Sequence, residues 1–331
     1  MEIKTSSEKP NQTVAIFANT ILFLIPAMAL LIDWTTFRLA LLLSLLGAIG
    51  RLTGRVSTTG PTPSVLYALP ALALVVAGLT LYHDDPWGSI HLPIAILLLL
   101  PIYWAAKIEG VEVRWAFFGA IIGAVIGLYV ALSNGGLSGN RYNGIFNPIP
   151  TGGIALLLAC ASAMGLFLRP WALPKAVWGL MCVLGVFAGI ATSILSGSKS
   201  GWIALPVVPV VLMVTQWRSI SNRWRFKALT IFVVGIIITT FALNASPIGP
   251  RVTDAIHGMQ HYITTGKPNE GSVGPRLELW RYALENIGAN FWVGIGKSEL
   301  IAGMTTATRA GLYAPILSEA RTLHNEFLHI Y

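Results

Sequence analysis

Long apolar runs separated by short polar turns fill the first 246 residues of the chain. A helix needs roughly 20 mostly apolar residues to cross a bilayer, and nine runs come near that length, of which the second is the shortest. They lie near residues 13–33, 36–50, 64–82, 88–106, 114–132, 151–168, 172–195, 201–217 and 228–246. The pattern predicts an all-α fold, a polytopic transmembrane helix bundle over residues 1–246.

The composition of the chain is too apolar for a soluble protein. Hydrophobic residues make up 54% of it and charged residues only 11%, whereas a soluble domain carries roughly 25% charged residues. Disorder is also excluded, because it requires the opposite composition. The net charge of +8 does not indicate nucleic-acid binding in so apolar a chain. We expect membrane lipids as partners and no nucleic acid.

Positive charge in the connecting loops predicts the orientation of the spans. One set of alternate loops carries most of the lysines and arginines of the bundle, whereas the opposite set, counting Arg38, holds only Arg38, Arg141 and Lys199. The N-terminus is therefore expected inside the cell. The polar stretch 247–323 then faces outward, and residues 324–331 begin a further transmembrane helix, beyond which we expect the chain to continue.

The outward stretch is predicted to contain an amphipathic helix from Pro275 to Ile287. Proline suits the first turn of a helix because its missing N–H has no partner there in any case. The apolar residues at helical spacing form one stripe, which we expect to rest on the membrane surface or on the bundle. The stripe consists of Leu277, Trp280, Leu284 and Ile287.

Outward cations indicate an anionic ligand, because positive charge on that face runs against the usual bias. Arg276 lies near the start of the predicted helix, where free backbone N–H groups also favour an anion. Arginine pairs bidentately with phosphate. Lys199 lies in a turn where Ser198 and Ser200 add hydroxyl donors. The set suits a lipid-linked diphosphate, although for each cation the alternative is contact with lipid headgroups only.

Two further residues and one histidine pair bear on the chemistry of the outward face. His324 can accept a proton near neutral pH and so deprotonate or orient an acceptor hydroxyl, the alternative being a helix-capping histidine. Arg281 lies about 140° round the helix from Arg276, so substrate binding and surface contact both stay open for it. The His257 and His261 pair lacks a nearby carboxylate or thiol to complete a metal site, so we expect no metal and no cofactor.

Taken together, these features resemble the O-antigen ligase family, within the wider group that also contains O-antigen polymerases. The resemblance covers most of the chain: many spans followed by a large outward loop between late helices. It is carried by Arg141 with Gly144 and Asn147-Pro148, the turn Ser198-Lys199-Ser200-Gly201, the run from Arg276 to Trp280, Gly294-Ile295-Gly296, and His324-Asn325.

The resemblance implies a glycosyltransferase of the bacterial inner membrane, active on its periplasmic face in lipopolysaccharide biosynthesis. Such an enzyme moves a polysaccharide from undecaprenyl diphosphate to a sugar hydroxyl of the lipid A-core, without a nucleotide sugar, metal or cofactor. It implies that Arg276 and Lys199 bind the diphosphate and that His324 activates the acceptor. Lysine at 199 departs from the arginine common in the family. Further substrate-binding candidates are Arg141, Arg281, Ser198 and Asn325.

Two other functions stay open at this point. An O-antigen polymerase would use the same donor with a growing lipid-linked glycan as acceptor, and the pair His324-Asn325 favours the ligase. An anion transporter would be expected to carry charged residues near the middle of its spans and internal repeats. The nine predicted spans show neither, which disfavours transport.

Overall fold

The computed structural model describes residues 12–32, 35–56, 65–84, 90–134, 148–167, 173–196, 249–269, 273–287 and 293–319. In these ranges the chain forms α-helices and no strand, apart from an isolated bridge between Val56 and Ile108. The all-α fold class predicted from the sequence is confirmed for the described residues.

Helices coincide with the first seven predicted apolar segments. They are α1 (Gln12–Ala27), α2 (Thr35–Leu52), α3 (Val65–Tyr82), α4 (His91–Ala105), α5 (Arg114–Ser133), α6 (Pro148–Gly165) and α7 (Lys175–Ser196). The described part of the C-terminal stretch adds four more. They are α8 (Gly249–Thr265), α9 (Gly274–Ile287), α10 (Lys297–Arg309) and α11 (Ile316–Glu319).

Three of the described helices are long and apolar enough to cross a membrane. They are α2, α5 and α7, with 18, 20 and 22 residues. The shortest predicted segment, 36–50, is thus part of an 18-residue helix that qualifies as a span. Crossing by the other four apolar helices stays a prediction. The eighth and ninth segments, 201–217 and 228–246, lie outside the described residues.

The chain divides into two compact units. The first contains Met1–Pro61 and Leu98–Phe241, and the second contains Thr62–Leu97 and Ala242–Tyr331. Helix α3 therefore belongs with the C-terminal helices, an assignment that the order of elements along the chain does not suggest. The domain limits at residues 246 and 323 stay predictions.

Small residues let the helices of the first unit approach closely. On α5, a Cβ added to Gly123 would lie 2.2 Å from the carbonyl oxygen of Pro26 in α1. On α7, a Cβ added to Gly189 would lie 2.5 Å from the carbonyl oxygen of Ala155 in α6. Packing of backbone against backbone at glycine and alanine is typical of membrane helices. The sequence of this unit is therefore suited to helix association within a bilayer.

The second unit has its own apolar core, formed by α9, α10 and α11. Met304 of α10 and Leu317 of α11 are completely buried in it. The other buried members are Leu279, Tyr282, Ala283 and Leu300. Burial of these side chains holds α9 against the two following helices, so the placement of Arg276 and Arg281 depends on this core.

Helix α9 forms as predicted, and Trp280 of its predicted stripe packs against this core, but the buried members come from other positions. Leu284 is 60% exposed, whereas Leu279, Tyr282 and Ala283, at i, i+3 and i+4, are buried. The sequence interpretation did not anticipate this second, buried face of α9. Contact of the exposed Leu284 with a membrane surface stays a prediction.

Candidate functional site

The structure describes two of the residues predicted to form the site. Arg276 and Arg281 both lie on α9. The other predicted site residues fall outside the described ranges, so their distances from α9 stay predictions. They are Arg141, Ser198, Lys199, His324 and Asn325.

Arg276 lies in the first turn of α9 and is half-buried. The helix opens with the bond from the Leu277 amide to the Val273 carbonyl, at 3.0 Å. The turn packs closely on the preceding loop, since a Cβ on Gly274 would lie 3.1 Å from the Asn269 side-chain oxygen. Among the described residues, no carboxylate forms an ion pair with the Arg276 guanidinium. Its charge is therefore not neutralised by the part of the protein that the structure shows.

Arg281 has a different environment from Arg276. Its Nη2 lies 3.3 Å from Oε1 of Glu278, and its Nε lies 3.7 Å from Oε1 of Glu285. The guanidinium carbon also lies 4.7 Å from the centroid of the Tyr313 ring, in cation–π range. Two carboxylates thus balance the charge of Arg281, although 41% of its side chain is exposed.

Glu278 is a buried carboxylate with donors from three parts of the second unit. The residue is 2% exposed. The Tyr262 hydroxyl of α8 donates to it at 2.5 Å, the Arg281 guanidinium at 3.3 Å, and the Ala314 amide, just before α11, at 3.2 Å. A buried charge is tolerated only when it is paired and hydrogen-bonded in this way.

The Tyr313 hydroxyl donates to Glu285, about two turns beyond Glu278 on α9. We call Tyr262, Glu278, Arg281, Glu285 and Tyr313 the Glu278 network. It joins α8, α9 and the segment between α10 and α11 through charged and phenolic groups, to which the Ala314 amide adds a bond.

The two phenols of the network remain protonated near neutral pH. Burial, with the hydrogen bond to Glu278 as the second cause, raises the pKa of Tyr262 to about 12. Burial and the Glu285 carboxylate raise the pKa of Tyr313 to about 12. Both hydroxyls therefore act as hydrogen-bond donors to the carboxylates, and neither is suited to accept a proton from a substrate.

His83 contacts the glycine motif 294–296, which the sequence interpretation did not anticipate. Its Nε2 lies 2.8 Å from the carbonyl oxygen of Val293, and because a carbonyl only accepts, Nε2 donates this bond. Gly296 has φ 70° and ψ 159°, and a Cβ there would lie 2.5 Å from the His83 Cβ. His83 and Val293 are 210 residues apart in sequence, and no sequence signal joins them.

A metal centre has no support in the described residues. No three His, Cys, Asp or Glu side chains come together there in a way that would hold a metal ion. The chemistry that the described part offers is that of cations, above all Arg276, held on a helix whose other charges are already paired.

Comparison with known protein families gives one match that covers these elements. Residues 184–331 match the family model described as O-antigen ligase. This match supports membership of the O-antigen ligase family. The resemblance predicted from the sequence is confirmed, and the matched region includes Ser198 and Lys199, all of α9 and His324. The family match, with the apolar helices of the first unit, indicates a membrane protein.

One curated relative matches a similar length of chain. An uncharacterized protein of Haemophilus influenzae is 26% identical over 148 residues. The match covers 44% of this chain and 36% of the relative. The chain thus spans about a third of the length of this curated relative, whose description names no activity.

Proposed function

We propose that the protein is an O-antigen ligase-type glycosyltransferase of the inner membrane. It transfers a polysaccharide from undecaprenyl diphosphate to a sugar hydroxyl of the lipid A-core on the periplasmic face. The observation that carries this proposal is the family match over residues 184–331, which spans the predicted donor and acceptor residues. The Arg276 guanidinium, unpaired with any described carboxylate, supports it.

The transfer breaks the bond between the anomeric carbon and the diphosphate oxygen and forms a bond to the acceptor oxygen. Undecaprenyl diphosphate leaves as an anion, so the transition state gains negative charge on the diphosphate. Arg276 and Lys199 would stabilise that charge. His324 would take the proton of the acceptor hydroxyl. Ser198 and Asn325 would add hydrogen bonds to the same substrates, and Arg141 a further charge.

Arg276 is the better donor-binding candidate of the two arginines on α9. Arg281 is paired with Glu278 and Glu285, so a diphosphate would have to compete with two carboxylates for it. Moving Arg281 away would also leave the buried Glu278 carboxylate without its charged partner, which is costly. Arg276 has no such competitor among the described residues.

The polymerase uses the same donor chemistry and differs in its acceptor. The proposal is therefore tested in cells that lack the gene, where the lipopolysaccharide separates the two on a gel. Loss of a ligase removes all O-antigen from the core, whereas loss of a polymerase leaves a single repeat unit on it. A single repeat unit in the deletion strain would replace the ligase with the polymerase.

The role of Arg276 is tested by returning variants to the same strain. Arg276→Ala should lower ligation by about 10²–10³, the usual cost of losing one donor to a developing charge, while the amount of protein in the membrane is unchanged. Arg309→Ala is the matched control, because Arg309 is an exposed arginine in the last turn of α10. Normal O-antigen on the core of the Arg276→Ala strain would contradict the proposed role.

A further inference from the structure

We infer that Glu278 is a positioning residue, which through its network holds α9 in the rotation that presents Arg276 to the donor diphosphate. The inference rests on the proposed function. It assigns a role in donor binding to a carboxylate that has the wrong charge to bind a diphosphate itself.

The burial of Glu278 makes its hydrogen bonds restrictive. The residue is 2% exposed, so water does not replace a donor that moves away. Its three donors come from α8, from α9 itself and from the segment before α11. Any rotation of α9 that moves the carboxylate breaks bonds to two other elements at once. Apolar contacts are non-directional, whereas these bonds fix direction as well as position.

Arg276 is two residues from Glu278 on the same helix, which separates their Cβ directions by about 200°. The network that holds Glu278 inward therefore holds Arg276 on nearly the opposite side of α9. The apolar core acts on the same helix, but its buried members on α9 begin at Leu279. Glu278 is thus the anchor nearest to the first turn, where Arg276 lies.

Arg281 serves the network as the counter-ion of Glu278. Its guanidinium lies between Glu278 and Glu285 and contacts the Tyr313 ring. The cation pairs with one carboxylate three residues before it and one four residues after it, spacings at which opposite charges on a helix attract. The two arginines of α9 therefore have different roles. Arg276 faces the diphosphate, and Arg281 stabilises the Glu278 carboxylate that positions Arg276.

The test measures the inhibition constant of inorganic pyrophosphate for polysaccharide transfer by the purified full chain. Pyrophosphate is the probe for the diphosphate site, and an inhibition constant does not depend on the fraction of protein that is folded. Arg276→Gln should raise this constant at least about tenfold, since it removes a charged hydrogen-bond donor. Glu278→Gln and Tyr262→Phe should each raise it about threefold.

The sign of the Glu278→Gln effect separates positioning from simple electrostatics. Removing a negative charge near the site would by itself strengthen pyrophosphate binding, whereas loss of positioning weakens it. Glu299→Gln is the matched control, because Glu299 is an exposed glutamate in the first turn of α10. It should leave the constant unchanged. If Glu278→Gln fails to accumulate, Tyr262→Phe carries the test, since it removes a single hydroxyl without changing charge.

Double variants show whether the network acts through Arg276. On the Arg276→Gln background, Tyr262→Phe and Glu278→Gln should cause no further rise in the inhibition constant. Effects that multiply in the double variants would overturn the inference, as would an unchanged or lower constant in Glu278→Gln. Both results leave the proposed function intact. An Arg276→Gln variant with the wild-type constant, or a wild-type protein that pyrophosphate does not inhibit, would instead overturn the donor site and the inference together.

Discussion

Replacing Gly296 with alanine should destabilise the second unit more than the same change at any open glycine. Gly296 has φ 70° and ψ 159°, a backbone region that is essentially reserved for glycine and costs other residues about 1–3 kcal/mol. A Cβ there would also lie 2.5 Å from Cβ and 2.6 Å from Cγ of His83. Overpacking of this kind costs about 1–3 kcal/mol. The sum predicts a loss of about 2–6 kcal/mol.

Two further variants divide this loss into its causes. Gly311 also has a left-handed φ, 73°, but a Cβ there would meet nothing within 4 Å. Gly311→Ala should therefore cost only the backbone strain, about 1–2 kcal/mol. In a His83→Gly background the clash is removed, so Gly296→Ala should cost about 1–3 kcal/mol less than it does in the natural chain.

The assay is unfolding of the purified full chain in mixed micelles with increasing sodium dodecyl sulfate, followed by tryptophan fluorescence. The free energies of unfolding of the single and double variants form a double-mutant cycle between Gly296 and His83. Equal costs for Gly296→Ala with and without His83 would refute the contact. A cost for Gly296→Ala no larger than that for Gly311→Ala would refute the whole estimate.

Two other predictions follow from the described residues. Gly47→Ala should strongly reduce the amount of folded protein, because the added Cβ would lie 1.8 Å from the Pro101 carbonyl oxygen. Gly78 has open space around it, so Gly78→Ala should be neutral or stabilising by up to about 1 kcal/mol. The two variants are compared by their protein levels in the membrane and by thermal unfolding. The pKa of Tyr262 is raised to about 12, so its contribution to stability is complete below pH 10 and is lost as the pH rises through 12. Glu278→Gln should bring that pKa back towards its ordinary value in an ultraviolet absorbance titration, and an unchanged titration would contradict the Tyr262–Glu278 bond.

The helices of the first unit were predictable from the sequence because the bilayer imposes a length and a composition on each span. The limits of α2 show where the prediction from the apolar run is incomplete. The apolar run ends at Gly50, but the helix continues through Arg51 to Leu52. A cation in the last turn is favourable because the helix dipole places partial negative charge there. Charge therefore ended the apolar run without ending the helix.

The burial of Glu278 on α9 was not predictable from hydrophobicity. Glu278 is buried because Tyr262 and the Ala314 amide reach it from other elements, and a sequence pattern cannot show such partners. Leu284, an apolar residue at helical spacing, is 60% exposed instead. Periodicity identified the helix correctly, but only the hydrogen-bond partners from other elements explain why its buried face includes Glu278.

The contact between His83 and Gly296 shows the same limit over a longer distance. The positive φ of Gly296 can be anticipated from the residue type, since glycine is favoured there. The neighbour that also requires glycine is a histidine more than 200 residues earlier in the chain. Only the packing of α3 in the second unit brings the two together. Arg276, by contrast, could be singled out from its place at the start of a predicted helix.

The proposed ligase activity is tested by polysaccharide transfer in a purified system. The protein purified from its native membrane is mixed with lipid-linked polysaccharide and lipid A-core, and the products are separated on a gel. We predict polysaccharide attached to the lipid A-core and release of undecaprenyl diphosphate, with both reduced about 10²–10³-fold in Arg276→Ala. Polysaccharide that is only lengthened on its lipid carrier, with the core left bare, would contradict the proposed ligase.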